Sequence, residues 1–325
     1  MPDNTNDLFD RESKILEQAI AIAGQNNSSQ EELLNGLTTL TKHYEKLMKQ
    51  SRRIIRFSDK LQDNLNVANT ELEEKNSLLK KRERVVKKDL KMAQNIQSSF
   101  LAKRNLTFPG IEIMHHYKPL DQVGGDFFDI IPINDEMLGI FVSDVSGHGI
   151  AAALITAMLK TATMVSKSLS ASPKAFLDHI NNQLYDIISG KYTSAFYAVI
   201  DLRKKKITYS TAGHIPQILH RKKSNEIIEL ANYGYLIGFF ENLHNEESTI
   251  DLESGDRLLF YTDGVTEVSD KNRVFFGEER LYEYVKESAS KEIKDFFHDL
   301  CDTLKTFAGD NLYKDDFTLI SIDIL

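Results

Sequence analysis

Between Pro2 and Pro109 the chain has no proline, and between Gly24 and Gly110 its only glycine is Gly36. A backbone without these two residues has few ways to turn sharply, so the first hundred residues are confined to long helices. Bulky core residues are scarce there too: four of the 30 aromatics lie within residues 1–100. The chain is thereby divided into an N-terminal helical region and linker helix, residues 1–100, and a compact domain, residues 101–325. Charge divides the same way. Lys and Arg number 17 against 15 Asp and Glu in residues 1–100, which leaves 23 against 33 of the 40 and 48 total, a net −10, for the rest. So acidic a domain is poorly suited to grip nucleic-acid phosphates.

Cys301, the single cysteine, rules out an internal disulfide framework and a Cys-rich zinc site. Its apolar-spaced surroundings read as those of a buried structural thiol. The first residues are polar and acidic, and no run approaches the roughly 18 apolar residues of a membrane span. The expectation is a cytoplasmic protein with no membrane partner.

Residues 13–24 fit a short helix with Ser13 as its cap and Gly24 at its stop. After a polar break at 25–29, Ser28 and Ser29, with Glu31 and Glu32 three residues on, read as a capping box that opens a second helix. Leu65, Leu72, Leu79, Val86, Ala93 and Phe100 recur every seven residues. The column four residues earlier carries charge at Lys75, Arg82 and Asp89, so the coiled-coil seam is imperfect. The helix is expected to pair in a homodimer, with folding back on the same chain as the alternative.

Past Pro109 the texture changes to short apolar strands at 111–117, 126–131, 137–145, 195–201, 207–211, 215–220, 257–262 and 317–324. Helices are predicted at 149–168, 173–188, 278–288 and 291–307. This order is that of an α+β fold with helices layered on antiparallel sheet. Acidic residues recur where the strands end: Asp126, Asp144, Asp263 and the pair Asp315–Asp316. Gly124, Gly125, Gly147, Gly149 and Gly264 lie beside them, where glycine lets backbone approach a ligand. Two readings stand side by side. Each Asp is a turn residue in its own right, or together they form an oxygen-rich cage for hard divalent cations.

The ordered segments GGDFFD (124–129), SDVSGHGIAAAL (143–154), TAGHIPQIL (211–219), LIGFF (236–240), SGDRLLFYTDGVTE (254–267), FGEERL (276–281) and DDFTLI (315–320) resemble the metal-dependent protein phosphatase (PPM) superfamily. The resemblance is to its bacterial SpoIIE/RsbU-like serine/threonine branch, and it covers residues 90–325. It implies an antiparallel β-sandwich flanked by helices, attached here to an all-α, coiled-coil arm. It further implies two divalent cations, Mn2+ or Mg2+. Carried over by motif, Asp126, Asp144, Asp263 and Asp315 would be the catalytic carboxylates and metal ligands. The Val145 carbonyl would join them, and Asp316 is the neighbour or alternate of Asp315. Asp129, Gly125, Gly147, His148 and Gly264 would support the site, Asp129 by orienting it. His148 reads either as a general acid or as a residue packed beside the metal loop. His214 reads as structural and Arg257 as a solvated strand residue. The implied reaction is hydrolysis of phosphoserine or phosphothreonine by a metal-activated water. The implied substrate is a phosphorylated anti-sigma-factor antagonist, with a switch protein on the helical arm. A catalytically silent adaptor with the same fold is the alternative. GGDFF also superficially resembles the GGDEF of diguanylate cyclases, but the other motifs have no place there. Family members often carry Leu-Leu-Pro where this chain has Phe100-Leu101-Ala102-Lys103.

Overall fold

The structure is a computed structural model that describes residues 10–24, 29–101, 107–188, 190–309 and 314–325. The polar break at 25–28, with Ser28, and the junction from Ala102 onward lie outside the described residues. The chain forms two compact units, Met1–Val85 and Val86–Leu325.

The first unit is helical. Helix α1 runs from Asp10 to Ala23, so Ser13 is inside it rather than at its cap. Helix α2 runs from Gln30 to Phe100 without a break. Its start is fixed by a reciprocal capping box: the Glu32 N–H donates to Ser29 Oγ at 3.3 Å, and the Ser29 N–H donates to Glu32 Oε2 at 3.0 Å. Helix α1 lies back along the start of α2, with Gly36 set against Ile22. Leu65, Leu72, Leu79 and Val86 are all exposed.

The second unit is a sandwich. One sheet contains β2 (Asp126–Pro132), β3 (Met137–Val145), β4 (Thr193–Asp201), β5 (Lys206–Ala212) and β8 (Glu247–Asp251), in that order. The other has the order β1 (Ile111–Lys118), β10 (Phe317–Ile324), β9 (Arg257–Tyr261), β6 (Gln217–Arg221) and β7 (Glu226–Leu230). Every pairing within the two sheets is antiparallel. Helices α3 (Ile150–Val165) and α4 (Pro173–Leu184) cover the first sheet. Helices α6 (Gly277–Glu287) and α7 (Ile293–Ala308) cover the second. A short turn of helix, α5 (Asp263–Thr266), follows β9.

Strand alternation sorts the side chains into three apolar layers. Even-numbered residues of the central strands, such as Phe128, Ile140, Phe196, Phe260 and Ile320, meet between the sheets. Odd-numbered ones, such as Phe127, Phe141 and Tyr197, face α3 and α4. Leu259, Phe317 and Leu319 face α6 and α7. Because both faces are covered, the central strands read as unbroken apolar runs.

The structure departs from the sequence reading in several places. The helix expected over 149–168 is α3 followed by a 3-10 turn, Ser166–Leu169. Together they make a 20-residue segment of mean hydropathy 1.3, long and apolar enough by composition to cross a membrane. That corrects the expectation that no run approaches such a span. Ala152, Ile155, Leu159 and Ala162 of this segment are buried in the layer over the first sheet. Pro173 opens α4 as expected. Strands β7 and β8 were not anticipated. Both are five-residue edge strands, EIIEL and ESTID, with two acidic residues each, too short and too charged to be read as strands. Arg257 is not solvated. Its guanidinium is fully buried, donates to both oxygens of Asp323 at 2.6 and 2.7 Å, and lies 4.0 Å from the centre of the Phe296 ring. Cys301 is partly buried against α6/α7 core residues, and burial pushes its thiol up to about 11, so it is not a poised nucleophile.

Candidate active site

The same alternation positions the carboxylates. Asp126 and Asp144 are opposite each other across the β2–β3 pair, both at even positions. They therefore continue the inter-sheet layer to its end, where the apolar filling stops. Asp126 is 1% exposed. One of its oxygens accepts hydrogen bonds from the hydroxyls of Thr262 and Thr318, each at 2.6 Å. These threonines belong to the opposite sheet, one just after β9 and one on β10. The Thr318 N–H donates to the Thr262 hydroxyl at 3.2 Å, completing a clamp that holds Asp126 at one oxygen.

Asp263 opens α5, and the backbone beside it is pressed onto the start of β10. A Cβ at Gly264 would fall 1.8 Å from the Asp316 carbonyl oxygen, so only glycine fits. This contact brings Asp263 beside the Asp315–Asp316 pair. The two members of that pair differ. Asp316 is 3% exposed and spends both oxygens on backbone: Oδ1 accepts from the Leu120 N–H at 2.7 Å, and Oδ2 accepts from the N–H groups of Gly125 and Asp126. Asp315 is exposed and uses one oxygen on the Asp316 N–H at 2.8 Å. Gly125 packs onto the loop after β3; a Cβ there would fall 2.9 Å from the Val145 carbonyl oxygen.

Electrostatics record how close these groups are. Burial raises Asp126 well above the usual carboxylate range, and Asp144 adds to it. Burial, with Asp263, Asp315 and Asp316 as like-charged neighbours, pushes Asp144 up to about 8. Burial and Asp315 push Asp263 up to about 6. No lysine or arginine is among the largest influences on these three. Among the described residues no three His, Cys, Asp or Glu side chains stand as a ready-made ligand group. The donor chemistry nevertheless fits hard divalent cations: the atoms are all oxygens, and Asp144, Asp263 and Asp315 have no cationic side chain bonded to them among the described residues.

Other expected residues fall elsewhere. Asp129, three residues from Asp126, faces the opposite way by strand parity. It accepts from Lys160 at 2.7 Å and Thr163 at 3.4 Å, and so ties β2 to α3. His148 has no hydrogen bond to the loop backbone among the described residues. It is exposed, 3.6 Å from Asp121. Gly147 is at φ +87°, where it turns the loop. His214 is held by Ser194 at 2.7 Å and the Tyr261 carbonyl at 3.2 Å, and burial lowers it to about 4, so it is a neutral structural imidazole. Sequence reading missed Thr262, Thr318 and Gln97. The Gln97 amide donates to the Gly124 carbonyl at 2.8 Å and to the Thr156 hydroxyl at 3.0 Å, and accepts from the Gly124 N–H at 3.1 Å. A buried glutamine inside a long exposed helix was the available signal, but burial is not visible in sequence.

The pattern of the Stage II sporulation protein E (SpoIIE) family matches residues 134–325. The chain belongs to this family and is a PPM-type phosphatase. It is similar to phosphoserine phosphatase RsbU of Bacillus subtilis strain 168, 27% identical over 236 residues that cover 72% of this chain and 70% of RsbU. Similarity to phosphoserine phosphatase RsbP of the same organism is 26%, over 73% of this chain and 58% of RsbP. Among solved structures, the SiaA-PP2C domain of Pseudomonas aeruginosa shares the fold, with a TM-score of 0.67 and 23% identity over 74% of this chain and 98% of that domain.

Proposed function

We propose that the chain removes phosphate from phosphoserine or phosphothreonine on a regulatory protein of the anti-sigma-factor-antagonist type, in a reaction dependent on two divalent cations, Mn2+ or Mg2+. The observation that carries this reading is the gathering of Asp126, Asp144, Asp263 and Asp315 at one end of the sandwich. Three of these acids, Asp126, Asp144 and Asp263, raise one another or are raised by their neighbours, with burial the main cause. Asp126, Asp144, Asp263, Asp315 and the Val145 carbonyl would hold the ions. Asp316, its oxygens committed to backbone amides, positions the 124–126 loop instead. When bound, such ions supply positive charge for the phosphoryl oxygens and lower the pKa of a water toward neutrality. The Thr262–Thr318 clamp fixes Asp126, and the Gly264 contact fixes Asp263 against β10.

The helical arm, in the same proposal, pairs two copies along the exposed column Leu65, Leu72, Leu79 and Val86 and receives a switch protein. The test is hydrolysis of p-nitrophenyl phosphate and of a phosphoserine protein with and without Mn2+. Metal-dependent release of phosphate is expected; none from well-folded, metal-loaded protein would leave the silent adaptor. Light scattering should show a dimer that becomes a monomer when residues 1–85 are removed, and an unchanged subunit number would end the pairing proposal.

A further inference from the structure

The proposed site is short of positive charge even after loading. Two divalent ions offset four of the charges on Asp126, Asp144, Asp263, Asp315 and Asp316, and the phosphoryl group of a substrate brings about two more negative ones. A cationic side chain at the rim is the missing partner, and one residue is placed for it. Lys191 precedes β4 and is half-buried. Its Nζ donates to the Ser146 carbonyl at 3.1 Å, in the loop that leaves Asp144 and Val145. It also lies over Gly147, where an added Cβ would sit 2.9 Å from Nζ.

The bond to Ser146 is not needed to hold that loop. The Ser146 N–H already donates to the Tyr192 carbonyl at 2.9 Å, and the Tyr192 N–H donates to Ser146 Oγ at 3.1 Å. Strand pairing extends to Val145 opposite Thr193. An ammonium has three donors. One is spent on Ser146, and Lys191 forms no ion pair among the described residues. By contrast Lys160, on α3, is committed to Asp129 on the helix-covered face. The neighbouring rim histidine, His148, faces Asp121.

Resting on the phosphatase reading, we propose that Lys191 is the residue that receives the substrate's phosphoryl group at the mouth of the site, its two uncommitted N–H donors bonding phosphoryl oxygens while Ser146 holds the ammonium in place. It is a substrate-contact residue and takes no part in holding metal. Ammonium-to-phosphate bonds are charge-assisted, and loss of one such contact weakens binding by roughly tenfold.

The test compares wild type, Lys191→Met and Lys191→Arg as full-length proteins. Inorganic phosphate is the probe, with Mn2+ affinity measured by calorimetry in parallel. In Lys191→Met the inhibition constant of phosphate and the KM for a phosphoserine protein should rise about tenfold, with kcat changed less and Mn2+ affinity unchanged. Lys191→Arg should recover most of the loss. Unchanged phosphate inhibition in Lys191→Met would overturn the proposal, as would a matching fall in Mn2+ affinity, which would mark Lys191 as a brace for the loop. A wild type without metal-dependent activity would instead defeat the phosphatase reading itself, so the two failures are distinguishable.

Discussion

The two ends of the β9–β10 pair handle buried charge in opposite ways. At one end Arg257 and Asp323 face each other across the pair, and the guanidinium spends its bonds on both carboxylate oxygens and on the Lys291 carbonyl. Lys222 adds a second cation to Asp323 at 2.7 Å. At the other end, past Tyr261 and before Phe317, acids collect without a cation bonded to Asp144, Asp263 or Asp315 among the described residues. At the first end the protein supplies the counter-charge itself. At the second no such partner is bonded among the described residues, and the proposed cations would supply the counter-charge. The same strands thus carry a structural ion pair and the proposed metal site, and the difference is whether the counter-charge is encoded in the chain.

The comparison breaks most decisively at the open end. Asp144→Asn and Asp263→Asn are expected to abolish Mn2+-dependent turnover, a loss well above the roughly 100-fold typical of outer-shell partners, while circular dichroism and melting temperature stay near wild type. Retained activity with unaltered metal dependence would remove both residues from the ligand set. At the closed end, Arg257→Leu leaves Asp323 buried with Lys222 as its remaining cation. Denaturant unfolding should show a loss of about 3–5 kcal/mol, with turnover per folded molecule unchanged. A loss below 1 kcal/mol would mean that the pair is dispensable.

A finer cut separates neighbours. Asp316→Asn disturbs a carboxylate that accepts three backbone N–H groups and should cost about 1–3 kcal/mol in stability. Asp315→Asn, on an exposed residue, should stay within about 0.5 kcal/mol yet weaken Mn2+ binding measured by calorimetry. The opposite pattern would exchange their roles.

The smallest effect is a pH dependence with two arms. Asp144 and Asp263 have folded pKa values raised to about 8 and about 6. The metal-free fold therefore binds protons more tightly than the unfolded chain. The stability this gives is complete at low pH and is lost as pH rises through 6 and 8. His214 is lowered to about 4, so its contribution is present above pH 6.5 and lost as pH falls toward 4. Chelator-treated protein should melt lower at both extremes, and Mn2+ should remove only the alkaline decline. A melting temperature flat between pH 6 and 8 without metal would contradict the coupled acids.

Much of this was legible in the sequence. The long helix followed from missing prolines and glycines, and the apolar runs marked the strands that are covered on both faces. The acids could be picked out because each stands at one end of such a run. What could not be read was orientation. Asp126 and Asp129 share one motif, yet parity sends one between the sheets and the other to Lys160. Asp315 and Asp316 are identical in type, and burial with the Leu120, Gly125 and Asp126 amides tells them apart. Arg257 did leave a trace: a charge inside RLLFY, matched by Asp323 inside ISIDI, is an internal pair once the register is known.

The alternation along β2 also limits how this domain can change length. Deleting one residue between Asp126 and Asp129 would turn one of the two acids onto the wrong face, into aromatic packing with no hydroxyl clamp or lysine to meet it. A two-residue change would keep both faces and merely shorten the strand. Insertions and deletions in this strand should therefore be tolerated in pairs, and a library of length variants would be expected to lose single-residue members first.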